Sequence, residues 1–309
     1  MSGTEIRNLA IAAVLFFIAA LLPFTENGYW IALGVTVAMY TVLATSWALF
    51  SGPTHYISLA TAAFYGLGTL IVGVGIDHLP YPVLLIIATL AGAVVAVLVG
   101  LATLRLSGVY FVIFTLGLAE MIRQVVSWLQ NNIGGSRGLY VLTDLTEEHI
   151  YWELLALAAV VFLIGWWIGR SRLGFALRII GNDEVVAAHC GINTARSKII
   201  LFMVSGSVAA LTGALLAPRW TYIEPNLAFS PLLSFEVVIM ALLGGTNRLW
   251  GPLVGVIPFT ILLEVIEANY PTQTILVLGI AFLLIVYLVP HGVVGRLQDL
   301  AGKLRSQGR

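Results

Sequence analysis

Few side chains in this 309-residue chain have types and spacing suited to chemistry, and most of those lie inside long apolar runs. Glu120 and Arg123 stand three apart in one such run, which puts both on the same helix face, where they can neutralise one another. An ionisable group at membrane depth points to the lining of a polar pathway, with Glu120 as its acid; a self-paired Glu and Arg locking helices together explains the same residues. Glu236, Glu264 and Glu267 raise the question again, the last two near the end of an apolar run where water is close. Covalent chemistry finds no support. The lysines, Lys198 and Lys303, lack the glycine spacing of an ATP-binding P-loop, and neither H-E-x-x-H nor G-x-S-x-G occurs. The histidines (His55, His78, His149, His189 and His291) are scattered without metal-ligand spacing. Cys190 is the sole cysteine, which excludes an internal disulfide and a cysteine zinc site. Gly134-Gly135-Ser136-Arg137-Gly138 has no strand before it and makes a poor phosphate cradle. No catalytic, metal-binding or cofactor-binding residue is expected.

The sequence that must position these groups is of membrane grade. It is 60% hydrophobic and 10% charged, with a mean hydropathy of +0.99. A soluble domain with so few charges could not cover its surface, and a net charge of zero implies no general attraction to nucleic acid. With Pro, Gly and charge clusters as punctuation, ten spans emerge: Ile6 to Leu22, Tyr29 to Phe50, Ile57 to Ile76, Val83 to Leu104, Val109 to Leu129, Tyr151 to Gly169, Ile199 to Pro218, Leu232 to Leu249, Pro252 to Ala268, and Gln273 to Val289. The expectation is an all-α polytopic membrane protein, a single domain over residues 1–309 with about ten transmembrane or partly re-entrant helices. The first span is read as a retained helix rather than a signal peptide. Ten spans leave both termini on one side. If that side is the cytoplasm, it collects Arg7, Arg105, Arg170, Arg172, Arg178, Arg196, Lys198, Arg248 and the basic tail 290–309, while the outer side receives Arg137 and Arg219. The outer loop from Gln130 to Ile150 is acidic instead.

Three stretches depart from plain spans. Residues 170–198 form a long polar interruption, in which Asn182 can cap a short helix, Asp183 to Cys190, whose first turn carries Asp183 and Glu184 and whose stop is Gly191. The apolar Val185, Val186, Ala187 and Ala188 make it either a plug for a groove on another protein or a solvated loop helix. Ser51 to Gly68 and Gly244 to Gly255 set Gly, Pro and polar residues beside membrane-depth sequence, as in broken helices lining a transport site. Inter-helix turns are the competing explanation, and the preferred one for the second stretch. Small residues recur at Ala88, Gly92, Ala96 and Gly100, and at Ser205, Ala209, Gly213 and Ala217, stripes along which helix backbones can approach closely.

Several of these stretches together resemble the LivM-type permease subunits of ABC importers for branched-chain and other hydrophobic amino acids. They are RSRLGFALRIIGNDEVVAAHCGINTARSKIILFMVSGSVAALTGALLA, LRLSGVYFVIFTLGLAEMIR, the outer-loop IGGSRGL, and SFEVVIMALLGGTNRLWGPLVG, spanning roughly Ser46 to Pro290. The resemblance implies a type II importer permease in a bacterial inner membrane, half of a translocation pathway, working with a second, LivH-like permease subunit, two cytoplasmic ATPase subunits that bind the ATP and magnesium, and an outer solute-binding protein. It further implies that Asn182, Asp183, Glu184, Val185, Ala188, Gly191 and Ile192 belong to a coupling helix seated on an ATPase subunit. Tyr56, Ser58, Thr61 and Phe64, with Glu120, are the residues expected along the solute path. Two departures stand out. The family usually carries a basic residue where Gly181 stands, and its early S-G-Q-I-S-L-G-H-A-A-F reads here Ser51-Gly52-Pro53-Thr54-His55-Tyr56-Ile57-Ser58-Leu59-Ala60-Thr61-Ala62-Ala63-Phe64. These departures leave room for a solute other than a branched-chain amino acid, since related systems carry urea, short amides or aromatic acids. The rival expectation is a gradient-driven transporter or channel that uses Glu120.

Overall fold

A computed structural model describes residues 16–288, apart from 26, 105, 107, 135–137 and 247. In chain order the elements are α1 (Gly28–Thr54), α2 (Thr61–Gly75), α3 (Tyr81–Thr103), α4 (Val109–Leu129), β1 (Leu139–Tyr140), α5 (Glu147–Arg170), α6 (Arg172–Asn182), α7 (Glu184–His189), α8 (Thr194–Leu216), β2 (Tyr222–Ile223), α9 (Pro225–Ala228), α10 (Pro231–Gly244), α11 (Gly251–Asn269) and α12 (Thr274–Leu288). Each expected span from Tyr29 onward is occupied by a helix. The span Ile6 to Leu22 lies mostly outside the described residues, and the basic tail 290–309 lies wholly outside them. Among the described residues, seven stretches are long and apolar enough to cross a bilayer. The chain is a largely α-helical, multi-pass membrane protein.

Helix α1 is the hub. Its Asn27 cap accepts from the Tyr29 amide at 3.1 Å, and its buried Val35, Leu43, Trp47 and Phe50 meet α5, α8, α10 and α11 on different sides. A second unit forms where α8 packs along α2 and α3. Here the small residues decide the geometry. Ala88, Gly92, Ala96 and Gly100 are all buried in α3, and a Cβ placed on Gly92 would sit 2.5 Å from Ala210 Cβ. On α8 the close approach is made by Gly206, Ala210 and Gly213; a Cβ on Gly68 of α2 would lie 1.7 Å from the Ala210 carbonyl oxygen, and one on Gly213 2.0 Å from that of Tyr65. The expected stripe through Ser205 and Ala209 is thus offset by one position in its first half, because the tightest neighbour of α8 is α2 as well as α3.

The two ends of the bundle differ in build. At one end β1 and β2 pair antiparallel, Leu139 with Ile223 and Tyr140 with Tyr222, and the two tyrosine rings lie 5.0 Å apart. An ion pair from Arg219 Nε to Glu147 Oε1 at 3.2 Å and a hydrogen bond donated by the Tyr81 hydroxyl to Glu153 at 2.8 Å hold the same end. These strands are absent from a reading based on helical periodicity, being too short to carry an alternating pattern of their own. At the other end α6 and α7 fold back beneath α1 and α8.

Candidate functional site

The α6–α7 end is built from a helix that sequence periodicity missed. Residues 172–182 set two arginines, Arg172 and Arg178, among mostly apolar residues, and they fold as α6 with Gly174, Leu177 and Ile180 buried; the Ser171 hydroxyl accepts from the Gly174 amide at 3.3 Å. Because α6 runs through Asn182, the cap of the next helix shifts by one residue from the expected position. Asp183 takes extended backbone and its Oδ1 accepts from the Val185 and Val186 amides at 2.8 and 3.1 Å. Asn182 is the last residue of α6 instead. A carboxylate suits that place better than an amide, since it meets the positive end of the helix. Gly191 takes φ +78°, and Ile192 donates its amide to the Ala187 carbonyl, closing the helix.

The faces of α7 divide cleanly. Ala187 is fully buried, whereas Val185 and Val186 are 65% and 50% exposed and Ala188 is exposed beside them. Glu184 turns inward. Its Oε1 accepts from Lys198 Nζ at 2.6 Å, and its Oε2 is 3.4 Å from the Tyr56 hydroxyl. Lys198, in the first turns of α8, is 2% exposed, also donates to the Tyr56 hydroxyl at 3.2 Å, and stands 4.5 Å over the Tyr56 ring. Burial by itself raises the Glu184 carboxyl; the Lys198 ammonium, joined by Thr194 and Tyr56, more than reverses this and holds it below the ordinary carboxylate range. Tyr56 carries the connection inward, edge-on to Phe111 at 5.2 Å, and Phe111 packs against Phe50 and Phe202. One surface helix is thereby tied through a charged node to an aromatic cluster within the bundle.

Tyr56 opens the early irregular stretch. Helix α1 contains Pro53 near its end, and His55 turns the chain in left-handed backbone with φ 57°. Residues 56–59 then pass into the bundle outside any helix, and side chains meet backbone groups here and at the start of α2. Trp47 Nε1 donates to the Ser58 carbonyl at 2.8 Å, the Leu59 amide donates to Thr115 Oγ1 at 3.1 Å, and the Ala62 amide donates to Ser234 Oγ at 2.9 Å. Such compensation is what a break at membrane depth requires. Ser58, Thr61 and Phe64 are all buried, with the Ser58 hydroxyl turned to the Ala60 amide and the Phe64 ring 5.6 Å from Phe202. The later stretch, 244–255, is a tight turn between α10 and α11, where a Cβ on Gly244 would lie 1.9 Å from the Gly251 carbonyl oxygen.

Glu120 lies away from this node. It pairs with Arg123, accepts from Gln124 at 3.0 Å, and remains 41% exposed; Arg123 also reaches Asn226 of α9. Periodicity gave little weight to Glu236, yet it is the more enclosed acid, 6% exposed in α10 and accepting from the Tyr40 hydroxyl at 2.5 Å. Lys198 was legible only as one positive charge among several, because its partner lies fourteen residues back on another helix. The two departures from the LivM-type pattern touch each other: a Cβ on Gly181 would stand 2.5 Å from the carbonyl oxygen of Pro53. A longer side chain at 181 has no room while proline bends the end of α1.

These features define a polytopic helical membrane protein with a short, exposed helix at one end. The family model described as branched-chain amino acid transport system / permease component matches residues 29–289, and the chain belongs to that family. It is 23% identical to the high-affinity branched-chain amino acid transport system permease protein LivM of Escherichia coli (strain K12), over 95% of this chain and 76% of that protein. It is 29% identical to the corresponding LivH of Salmonella typhimurium over 53% of this chain and 52% of that protein. Among solved structures, PsaBC from Streptococcus pneumoniae in complex with Fab matches with a TM-score of 0.48 and 15% identity, covering 92% of this chain and 99% of that one. The chain is a transport permease subunit of the ABC-importer kind, not an enzyme.

Proposed function

We propose that this chain forms half of the membrane pathway of an ATP-driven importer, paired with a LivH-like subunit, served by two ATPase subunits and supplied by a solute-binding protein. The solute is a branched-chain amino acid or a related small organic molecule. The α6–α7 end faces the cytoplasm in this reading, since Arg170, Arg172, Arg178, Arg196, Lys198 and Arg248 gather there while Asp144, Glu147, Glu148, Glu264 and Glu267 belong to the opposite end. Both termini then lie in the cytoplasm of an inner-membrane protein. The observation that carries the proposal is α7 itself: two exposed valines on a capped helix anchored by Glu184 and Lys198. An apolar face held rigidly at the water boundary suits a groove on a partner, and ATP must be hydrolysed elsewhere because the chain has no P-loop.

Within this scheme Val185, Ala188 and Ile192 contact the ATPase, Asp183 and Gly191 shape the helix, and Glu184 anchors it. Tyr56, Ser58, Thr61 and Phe64 belong to the break that borders the solute route when the helices part. Glu120 locks α4 to α9 through Arg123. A gradient-driven carrier would need Glu120 available to exchange a proton or ion, and its closure on Arg123 gives that rival no support. The test is co-purification of ATPase subunits with a Val185→Arg, Ala188→Arg variant. Since both side chains are exposed, the subunit should reach the membrane in normal amount while ATPase recovery falls about tenfold or more, as expected when charges displace the apolar anchors of an interface. Undiminished recovery would remove α7 from the interface.

A further inference from the structure

A cavity of about 610 Å³ opens at the α6–α7 end between α1, α5, α6 and the turn before α11, and no step of transport described above uses it. Its volume falls in the range of about 300–1,000 Å³ typical of small-molecule sites. Its lining combines cationic and apolar groups. His55, Arg178 and Arg248 line it together with Leu49 of α1 and Ile168 in the last turn of α5. No carboxylate lines it, and among the described residues none pairs with Arg178 or Arg248. Among the described residues Arg178 donates one long hydrogen bond, to the Gly169 carbonyl at 3.4 Å, out of the five donors a guanidinium carries.

A second observation comes from the inner part of the cavity. Thr45 lines it, nine residues before the end of α1 and so about 14 Å further in at 1.5 Å per residue. Thr45 is 1% exposed, and its hydroxyl has no hydrogen-bond partner. A threonine inside a helix ordinarily satisfies its hydroxyl on a carbonyl one turn back, as Thr54 does on Phe50 at 2.6 Å. The hydroxyl oxygen itself is enclosed, so Thr45 marks how far the cavity reaches along α1 rather than a donor offered to its contents.

We propose that this cavity binds an anionic phospholipid, with its phosphate between Arg178 and Arg248 and an acyl chain along Leu49 and Ile168. Two guanidinium groups that no described carboxylate pairs favour a phosphate at a membrane boundary, which each can hold through parallel N–H donors. The apolar wall behind them favours a phosphate that carries a chain over a free one. Occupancy would brace α6 against α1 and α5 just before the chain enters α7.

The test uses the full chain, purified and stripped of lipid in a neutral detergent, with binding read by native mass spectrometry and by the thermal unfolding midpoint. Phosphatidylglycerol should bind and raise the midpoint, phosphatidylcholine should do so markedly less, and an Arg178→Gln, Arg248→Gln variant should bind phosphatidylglycerol about tenfold or more weakly, from the loss of two charge-assisted contacts. A Leu49→Trp variant, which narrows the apolar wall of the cavity and leaves both arginines in place, should weaken binding as well. An equal, arginine-dependent rise with inorganic phosphate alone would overturn the lipid assignment in favour of a soluble phosphate. Phosphatidylglycerol binding that is unchanged in both variants, or absent from the wild type, would overturn the site itself.

Discussion

Replacing Glu184 with alanine should destabilise the folded subunit far more than removing its partner Lys198. The asymmetry follows from where the two charges sit. The Lys198 side chain is 3% exposed and that of Glu184 is 40% exposed. Glu184→Ala leaves an ammonium enclosed beside Tyr56 with no counter-ion, a change that costs about 3–5 kcal/mol when one partner of a buried pair is removed. Lys198→Met removes the enclosed charge and leaves a carboxylate that can turn to water, so its cost should be about 1 kcal/mol or less, as for a surface pair. The double variant Glu184→Ala, Lys198→Met should recover most of the loss. Thermal unfolding midpoints of the detergent-purified subunit measure all three. Equal losses for the two single variants would show that the node is an ordinary surface ion pair and that α7 is not anchored through it.

A comparably large effect is expected from Gly68→Val. Here the cause is steric and lies in the backbone. The carbonyl oxygen of Ala210 occupies the space a Cβ would need, at 1.7 Å, and a Cβ on the neighbouring Gly213 would lie 2.0 Å from the Tyr65 carbonyl oxygen. No flexible side chain can give way, so α2 and α8 must separate along the seam where both pack against α3. Overpacking a filled core typically costs about 1–3 kcal/mol, and a backbone-to-backbone clash belongs at the upper end or beyond. The expected result is loss of monodisperse subunit in size-exclusion chromatography. Gly117→Val is the control, since a Cβ there meets nothing within 4 Å. Normal behaviour of Gly68→Val would mean that α2 and α8 are further apart than described.

What could be read from the sequence, and what could not, follows the range of the forces involved. Apolar runs about the thickness of a bilayer marked α1 through α5, α8 and α10 through α12, because hydrophobic length is a local property of the chain. Gly191 and the acidic first turn of α7 were legible for the same reason, being capping chemistry within a few residues. Helix α6 was missed because its basic residues at 172 and 178 masked a short buried face of Gly174, Leu177 and Ile180. That concealment also moved the expected cap from Asp183 to Asn182. The node was out of reach altogether: Glu184, Lys198 and Tyr56 come from three separate segments, and only the packing of α7 under α8 brings them together. Pro53 and Gly181 show the same limit from the other side. Each looked like an independent departure from the family pattern, yet a Cβ at 181 would stand 2.5 Å from the Pro53 carbonyl oxygen, which couples the two positions.

The most direct test of the central claim is solute uptake by the complete complex in vesicles, with ATP inside and all ion gradients collapsed by ionophores. The importer reading predicts that uptake continues under those conditions, stops when ATP is replaced by a non-hydrolysable analogue, and falls sharply in the Val185→Arg, Ala188→Arg variant. Uptake by this chain alone, without an ATPase subunit and in proportion to a proton or sodium gradient, would contradict it.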